Sequence, residues 1–331
     1  MRREVLKGNI LFAFHSYDNP PNVWTIKESP IVGLYSIDRT GYSGWSDICR
    51  HPERYRADIE AIDRDEASQV IASYRKSLAT GVTKIEQDAD DAELPDRFVF
   101  FALQKRIDSV AELAWLDALD VLEAASAASR ELQQPLVVKK HPLCDSLAVE
   151  VKLQKLCSEN PWLRVSRAHV RDLLAGASAV ITANSGVGLE ALIAGRPVYC
   201  FGTSEWSAVT HRLAAPEDVI AAFDPVACDA DRHVAYLLGR YWVGHDDVEE
   251  MERRVAQAFS EYDPQSASEI AGEAELNALL DRKILDYQKT YTLERDRLRD
   301  VQADYVHLKR DCVHLVDVAQ RLLAELQRRD G

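Results

Sequence analysis

The sequence predicts a doubly wound α/β fold, and three observations carry that prediction. From residue 98 onward, short apolar runs alternate with longer amphipathic ones: FVFFALQ, residues 109–133, PLVVKKH, residues 147–158. That is the rhythm of β-α units feeding a parallel sheet. The stretch SAVITANSGVGLEALIAGRPVYCFG, residues 178–202, condenses the same pattern into a buried strand, a polar glycine turn, a short helix and a second strand. Polar side chains gather where the predicted strands end: Gln104 and Asp108, then Lys139, Lys140 and His141, then Asn184 and Ser185. In open parallel sheets, ligands bind at those carboxyl ends.

Taken in order, the chain opens with a strand over residues 9–15 and the polar loop HSYDNPPN. WTIKESP follows with no element assigned, then a strand in IVGLYSI and a turn in DRTGYSGWSDI. Aromatics beside glycines in that turn suit sugar stacking, and equally a turn tucked under by its own rings. Residues 52–79 read as one amphipathic helix, and the acidic run GVTKIEQDADDAELPDR then separates two domains. Asp88 and Asp90 have the spacing of a metal pair, but they lie in a solvated charge run, and no metal site is expected. The expected division is a small N-terminal α/β domain, residues 1–92, a Rossmann-like domain with following helices, residues 93–262, and a long helix in 275–331. In that last segment Leu298, Val301, Tyr305, Leu308, Cys312, Leu315, Ala319, Leu322 and Leu326 step by three and four, forming a heptad seam. A seam of this kind points to a homo-oligomer or a partner helix through residues 276–328.

Charge and cysteines narrow the function classes. The 331 residues carry a formal net charge of −14 and are 47% hydrophobic, enough apolar content for full cores. Such an acidic chain is not built to bind nucleic acid. Six scattered cysteines without a C-x-x-C pair fit a reducing, cytoplasmic setting. No run of about 18 apolar residues is present to span a membrane.

The turn at Asn184, Ser185 and Gly186 has two readings. In one, helix N–H groups, the Ser185 hydroxyl and close-approaching glycines hold a phosphate while Glu190 takes ribose hydroxyls. In the other, Asn184 or Ser185 simply caps a helix. Asp108 and Ser109 likewise serve either chemistry or the cap of the next helix, since Ser109 to Glu112 has capping-box form. Lys139 and Lys140 point to opposite faces of their strand.

Taken together, WTIKESP, DRTGYSGWSDI, FALQKRIDS, KKHP and ANSGVGLEALIAGRPVYCFG resemble the bacterial capsule and lipopolysaccharide β-Kdo glycosyltransferases, retaining enzymes that transfer 3-deoxy-D-manno-octulosonic acid (Kdo) from CMP-Kdo. The resemblance covers residues 24–202. It implies a GT-B-like fold, with two Rossmann-like domains facing a cleft, and no cofactor beyond the donor substrate CMP-Kdo. It also implies a nucleophile at Asp108, an acid and base at Glu28, and His141 and Pro142 as the His-Pro pair. Gln104, Lys139, Lys140, Asn184, Ser185, Gly186 and Glu190 are then substrate or nucleotide contacts. The expected partner is a glycan or glycolipid acceptor, met in the cytoplasm at the inner face of the inner membrane through peripheral association. The N-terminal half is short for the family, which leaves the acceptor sugar unassigned. The alternatives are another GT-B-like enzyme, such as a nucleotide-sugar 2-epimerase or a UDP-sugar transferase, and a non-catalytic scaffold in polysaccharide assembly.

Overall fold

Among the described residues, ten strands divide between two sheets. They are β1 (Leu11–Phe14), β2 (Val23–Glu28), β3 (Leu34–Asp38), β4 (Phe98–Ala102), β5 (Leu136–Lys139), β6 (Leu163–Val165), β7 (Ala177–Thr182), β8 (Val198–Cys200), β9 (His211–Arg212) and β10 (Val243–Gly244). The computed structural model describes residues 10–80, 94–105, 108–144 and 146–263. These lie in one compact unit, Met1–Ser268; the second unit, Glu269–Gly331, and with it the predicted heptad seam, lies outside the described residues.

The larger sheet is parallel throughout, in the order β6-β5-β4-β7-β8-β9. The order reverses between β4 and β7, which makes their carboxyl ends the switch point where ligands of doubly wound sheets bind. Strand β4 shows why the sequence folds this way. Phe98, Phe100 and Ala102 enter one apolar cluster, with Leu173, Val180 and Leu189, while Val99, Phe101 and Leu103 enter another, with Val121, Leu136 and Ile181. A strand buried on both faces needs an unbroken apolar run, and FVFFA supplies one.

The helices that matter here are α1 (Arg64–Thr80), α2 (Ala118–Leu132), α3 (Leu147–Glu159), α4 (Val170–Gly176), α5 (Gly186–Ile193), α6 (Asp231–Tyr236) and α7 (Val248–Ser260). Two predicted helices are broken. The one expected over 52–79 is interrupted before α1, where Asp63 accepts from the backbone N–H of Asp65 at 2.8 Å and starts the helix anew. The one expected over 109–133 is two elements. Residues Ser109–Leu113 form a 3₁₀ segment, and α2 starts only after Asp117, whose carboxylate caps Leu119 N–H at 2.7 Å. The capping-box form at Ser109 therefore does not open the long helix.

The smaller sheet has the order β1-β2-β3-β10, with β1 and β2 parallel and the other pairs antiparallel. WTIKE, given no element from the sequence, is most of β2. Its Thr25 and Lys27 pair with Asp38 and Ser36 of β3, forming a polar face, while Trp24 and Ile37 enter a small core with Val243 and Ala258. The expected boundary near residue 92 falls outside the described residues, and β10 joins this sheet from the segment assigned to the larger domain.

Candidate active site

A cleft of about 660 Å³ lies between the carboxyl ends of β4, β5 and β7 and the polar edge of the smaller sheet. Gln104 and Asp108 reach it after β4, Lys139 to Pro142 from the end of β5, Asn184 to Gly186 from the turn after β7, Glu190 from α5 and Glu28 from the end of β2. Every site residue singled out from the sequence lines this one space.

Their hydrogen bonds give them different jobs. Gln104 and Asn184 form a reciprocal amide pair: Gln104 Nε2 donates to Asn184 Oδ1 at 2.8 Å, and Asn184 N–H donates to Gln104 Oε1 at 3.0 Å. The Asn184 amide then donates to the carbonyls of Val110 at 2.8 Å and Thr203 at 3.0 Å. One side chain thus fastens the segment that follows Asp108 to the loop after β8. Lys139 is buried, with Nζ donating to the carbonyls of Arg167 and Ala168 at 3.0 and 2.8 Å. Lys140 bonds Glu150 at 2.5 Å. The two lysines do diverge, but both ammoniums are engaged by the protein.

The groups with chemical capacity are the next set. Asp108 Oδ1 accepts from Ser109 Oγ at 3.3 Å, and Ser109 Oγ is 2.8 Å from the Tyr42 hydroxyl, which comes from the opposite wall. Asp108 does not cap the following segment. His141 Nδ1 accepts the Leu143 N–H at 3.1 Å. With Nδ1 an acceptor, neutral His141 carries its proton on Nε2. Burial and the Lys105 charge push the imidazole below its ordinary pKa, while Asp108 acts the other way. Glu28 accepts from Lys27 Nζ at 2.7 Å. In α5, Ser185 Oγ caps Val187 N–H at 3.3 Å, and burial alone pushes Glu190 up to about 7.

The glycines of the turn serve packing. A Cβ on Gly186 would meet Pro30 at 2.9 Å, and one on Gly188 would meet the Trp206 indole at 2.4 Å. The aromatic turn is tucked under by its own rings. Tyr17 stacks on the buried Trp45 at 4.1 Å, and Tyr42 meets Trp45 edge-on at 5.6 Å.

Sequence reasoning missed Glu205. Its Oε1 accepts the N–H of Ser43 at 2.7 Å across 162 positions of chain, and Ser43 sits at φ 53, a left-handed conformation unusual outside glycine. Burial pushes Glu205 up to about 7. The only local signal was a charged residue inside an otherwise uncharged loop, TSEWSAV. Among the described residues no group of three or more His, Cys, Asp or Glu side chains is arranged to hold a metal, and no helix is long and apolar enough to cross a membrane. The Asp88 and Asp90 pair lies outside the described residues.

A doubly wound parallel sheet whose switch-point cleft faces a smaller sheet defines a GT-B-like α/β protein. Residues 62–211 match the family model described as capsule polysaccharide biosynthesis protein. Among solved structures, the chain is similar to the β-Kdo 2,7 transferase of Thermosulfurimonas dismutans KpsC, at 17% identity and a TM-score of 0.51, over 78% of this chain and 89% of that one. It is also similar to the β-Kdo 2,4 transferase of the same protein, at 17% identity and a TM-score of 0.39, over 60% of this chain and 71% of that one. At such identity the first likeness is one of fold. A search of curated proteins finds no match.

Proposed function

We propose that this protein is a retaining glycosyltransferase that moves Kdo from CMP-Kdo to a glycan acceptor with β linkage. Family and fold support transfer from a nucleotide-sugar donor to a glycan. The observation that carries the reading is the meeting of Asp108 and His141, from loops after two different strands, in one switch-point cleft with a carboxyl group, Glu28, on the facing wall.

The chemistry follows from these groups. Kdo has a quaternary anomeric carbon bearing a carboxylate. The Asp108 carboxylate attacks that carbon, the bond to the CMP phosphate oxygen breaks, and its electron pair leaves with CMP. In the second step an acceptor hydroxyl attacks the same carbon, its proton passes to Glu28, and Asp108 leaves as carboxylate. Two inversions give retention. CMP is already a good leaving group, so charge stabilisation matters more than proton donation to it. Neutral His141, with its proton on Nε2, supplies a donor to the phosphate, and Lys105 adds positive potential. The Tyr42 and Ser109 hydroxyls hold Asp108 in position.

Intact-protein mass spectrometry after brief incubation with CMP-Kdo tests this. A mass gain of one Kdo residue on Asp108, absent in Asp108→Ala and Asp108→Asn, is the expected result. Failure to cleave CMP-Kdo in the presence of acceptor glycans, with turnover of a UDP-sugar instead, would overturn it in favour of a UDP-sugar transferase or a 2-epimerase.

A further inference from the structure

Two residues that line the cleft carry buried hydroxyls without a hydrogen-bond partner. Ser36 Oγ on β3 and Ser204 Oγ in the loop after β8 are buried, each in a residue only 2% exposed, and neither meets a donor or acceptor. Folding removes such groups from water, and leaving them unpaired is unfavourable. Beside Ser204 stands Glu205, 6% exposed, whose Oε1 takes the Ser43 N–H. A carboxyl group has about four lone-pair sites, so acceptor capacity remains. Ser36 is two residues from Asp38, on the same face of β3, and the Asp38 charge is felt at Glu205. Ser36, Ser204 and Glu205 all line the one cleft.

Lys105, Lys140 and His141 gather with Asp108 at the ends of β4 and β5, Lys27 is bonded to Glu28 on the smaller sheet, and Glu205 is the ionisable group next to Ser204. An ionised Glu205 repels an anionic group. What suits unpaired hydroxyls beside a carboxyl is an uncharged array of vicinal hydroxyls, each able to donate and accept.

We propose that Ser36, Ser204 and Glu205 form a hydroxyl-recognition subsite for the neutral, polyhydroxylated part of a sugar, setting which end of the ligand enters this side of the cleft. The proposal rests on the glycan-transfer reading for its ligand class. The hydroxyls come from the donor sugar or from the acceptor, and the two sources give different kinetics. Ser204 and Glu205 also border a second cavity of about 310 Å³ that contains Cys49 and His233 in its lining. A water there is the rival partner for Ser204.

Three variants, Ser36→Ala, Ser204→Ala and Glu205→Gln, test the subsite; the glutamine keeps an oxygen for the Ser43 N–H. Binding of CMP stays within about twofold of wild type in all three, because the nucleotide lies elsewhere. A donor source weakens CMP-Kdo binding about tenfold, and an acceptor source instead raises the acceptor KM about tenfold at saturating CMP-Kdo. The serine variants of the free protein unfold at a higher temperature than wild type, because an unpaired buried hydroxyl has been removed. If Ser204→Ala unfolds at a lower temperature and changes neither CMP-Kdo binding nor acceptor KM, the hydroxyl serves buried water and the proposal is overturned. Saturation-transfer NMR with neutral methyl glycosides separates this from failure of the transferase reading. If wild type binds neither CMP nor CMP-Kdo, a glycoside signal lost in Ser204→Ala still supports the subsite, and no signal in wild type overturns it.

Discussion

The two sides of the cleft are built in opposite ways. On the side of the large sheet, Gln104, Asn184, Lys139 and Lys140 are held by protein partners, so their polar groups serve as a frame. Toward the smaller sheet and the loop after β8, Ser36 and Ser204 have hydroxyls without partners, and Glu205 keeps acceptor capacity. A polar residue in a cleft is thus not by itself a ligand contact. The difference teaches that partner inventory, more than residue type, separates groups that hold the site from groups that meet what enters it.

Substitutions sharpen that contrast, beginning with the largest effect. Asp108→Asn is expected to lower kcat for transfer by at least about 10³-fold, as loss of a nucleophile does, with CMP affinity nearly unchanged. Steady-state transfer assays and nucleotide titration check this. Asn184→Ala removes a frame residue and deprives Gln104 Nε2 and two carbonyls of that partner, so it should lower kcat about 100-fold through misplacement of the Asp108 loop. The same variant should also destabilise the fold by about 3 kcal/mol, which urea unfolding measures. An Asn184→Ala protein with wild-type stability and a raised CMP-Kdo KM alone would break the contrast, because Asn184 would then be a ligand contact.

Gly188→Ala should destabilise by about 3 kcal/mol without altering the chemistry of refolded protein, since the new methyl meets a rigid indole. Urea unfolding and the kcat of folded protein report the two halves of that expectation.

The buried carboxyls give a pH signature. Glu190 and Glu205 are pushed up to about 7 from an ordinary 4.5, so the folded protein binds more protons than the unfolded chain between those values. Their contribution to stability is fully present below about 4.5 and is lost as pH rises through about 7. Each group accounts for at most about 3 kcal/mol. Unfolding free energy measured from pH 5 to 8 should therefore fall, and Glu205→Gln should flatten the slope. The smallest effect belongs to Lys140→Ala, which breaks a half-exposed ion pair and should change stability by no more than about 0.5 kcal/mol.

Much of this was legible in the sequence because the large sheet is locally encoded. The unbroken run FVFFA, the strand-turn-helix at 178–193 and the polar strand ends each declare themselves within a few residues, and the doubly wound topology then converges them. The features that escaped depend on distant pairing. WTIKE alternates apolar with polar because one face meets the cleft, and only its register with β3 shows it to be a strand. Glu205 acts through Ser43, 162 positions away, and no local pattern announces such a bond. The long helix expected from residue 109 failed because periodicity does not show that Ala114 bridges Gly202 and stops it.

The smaller sheet is completed by β10, which pairs with β3 across some two hundred positions of chain. As the polypeptide leaves the ribosome, β3 therefore waits with an open edge until the whole parallel sheet has been made. The first-synthesised sheet is among the last to close, and a ribosome that stalls before residue 243 leaves a nascent chain with a strand edge ready to pair with a neighbour.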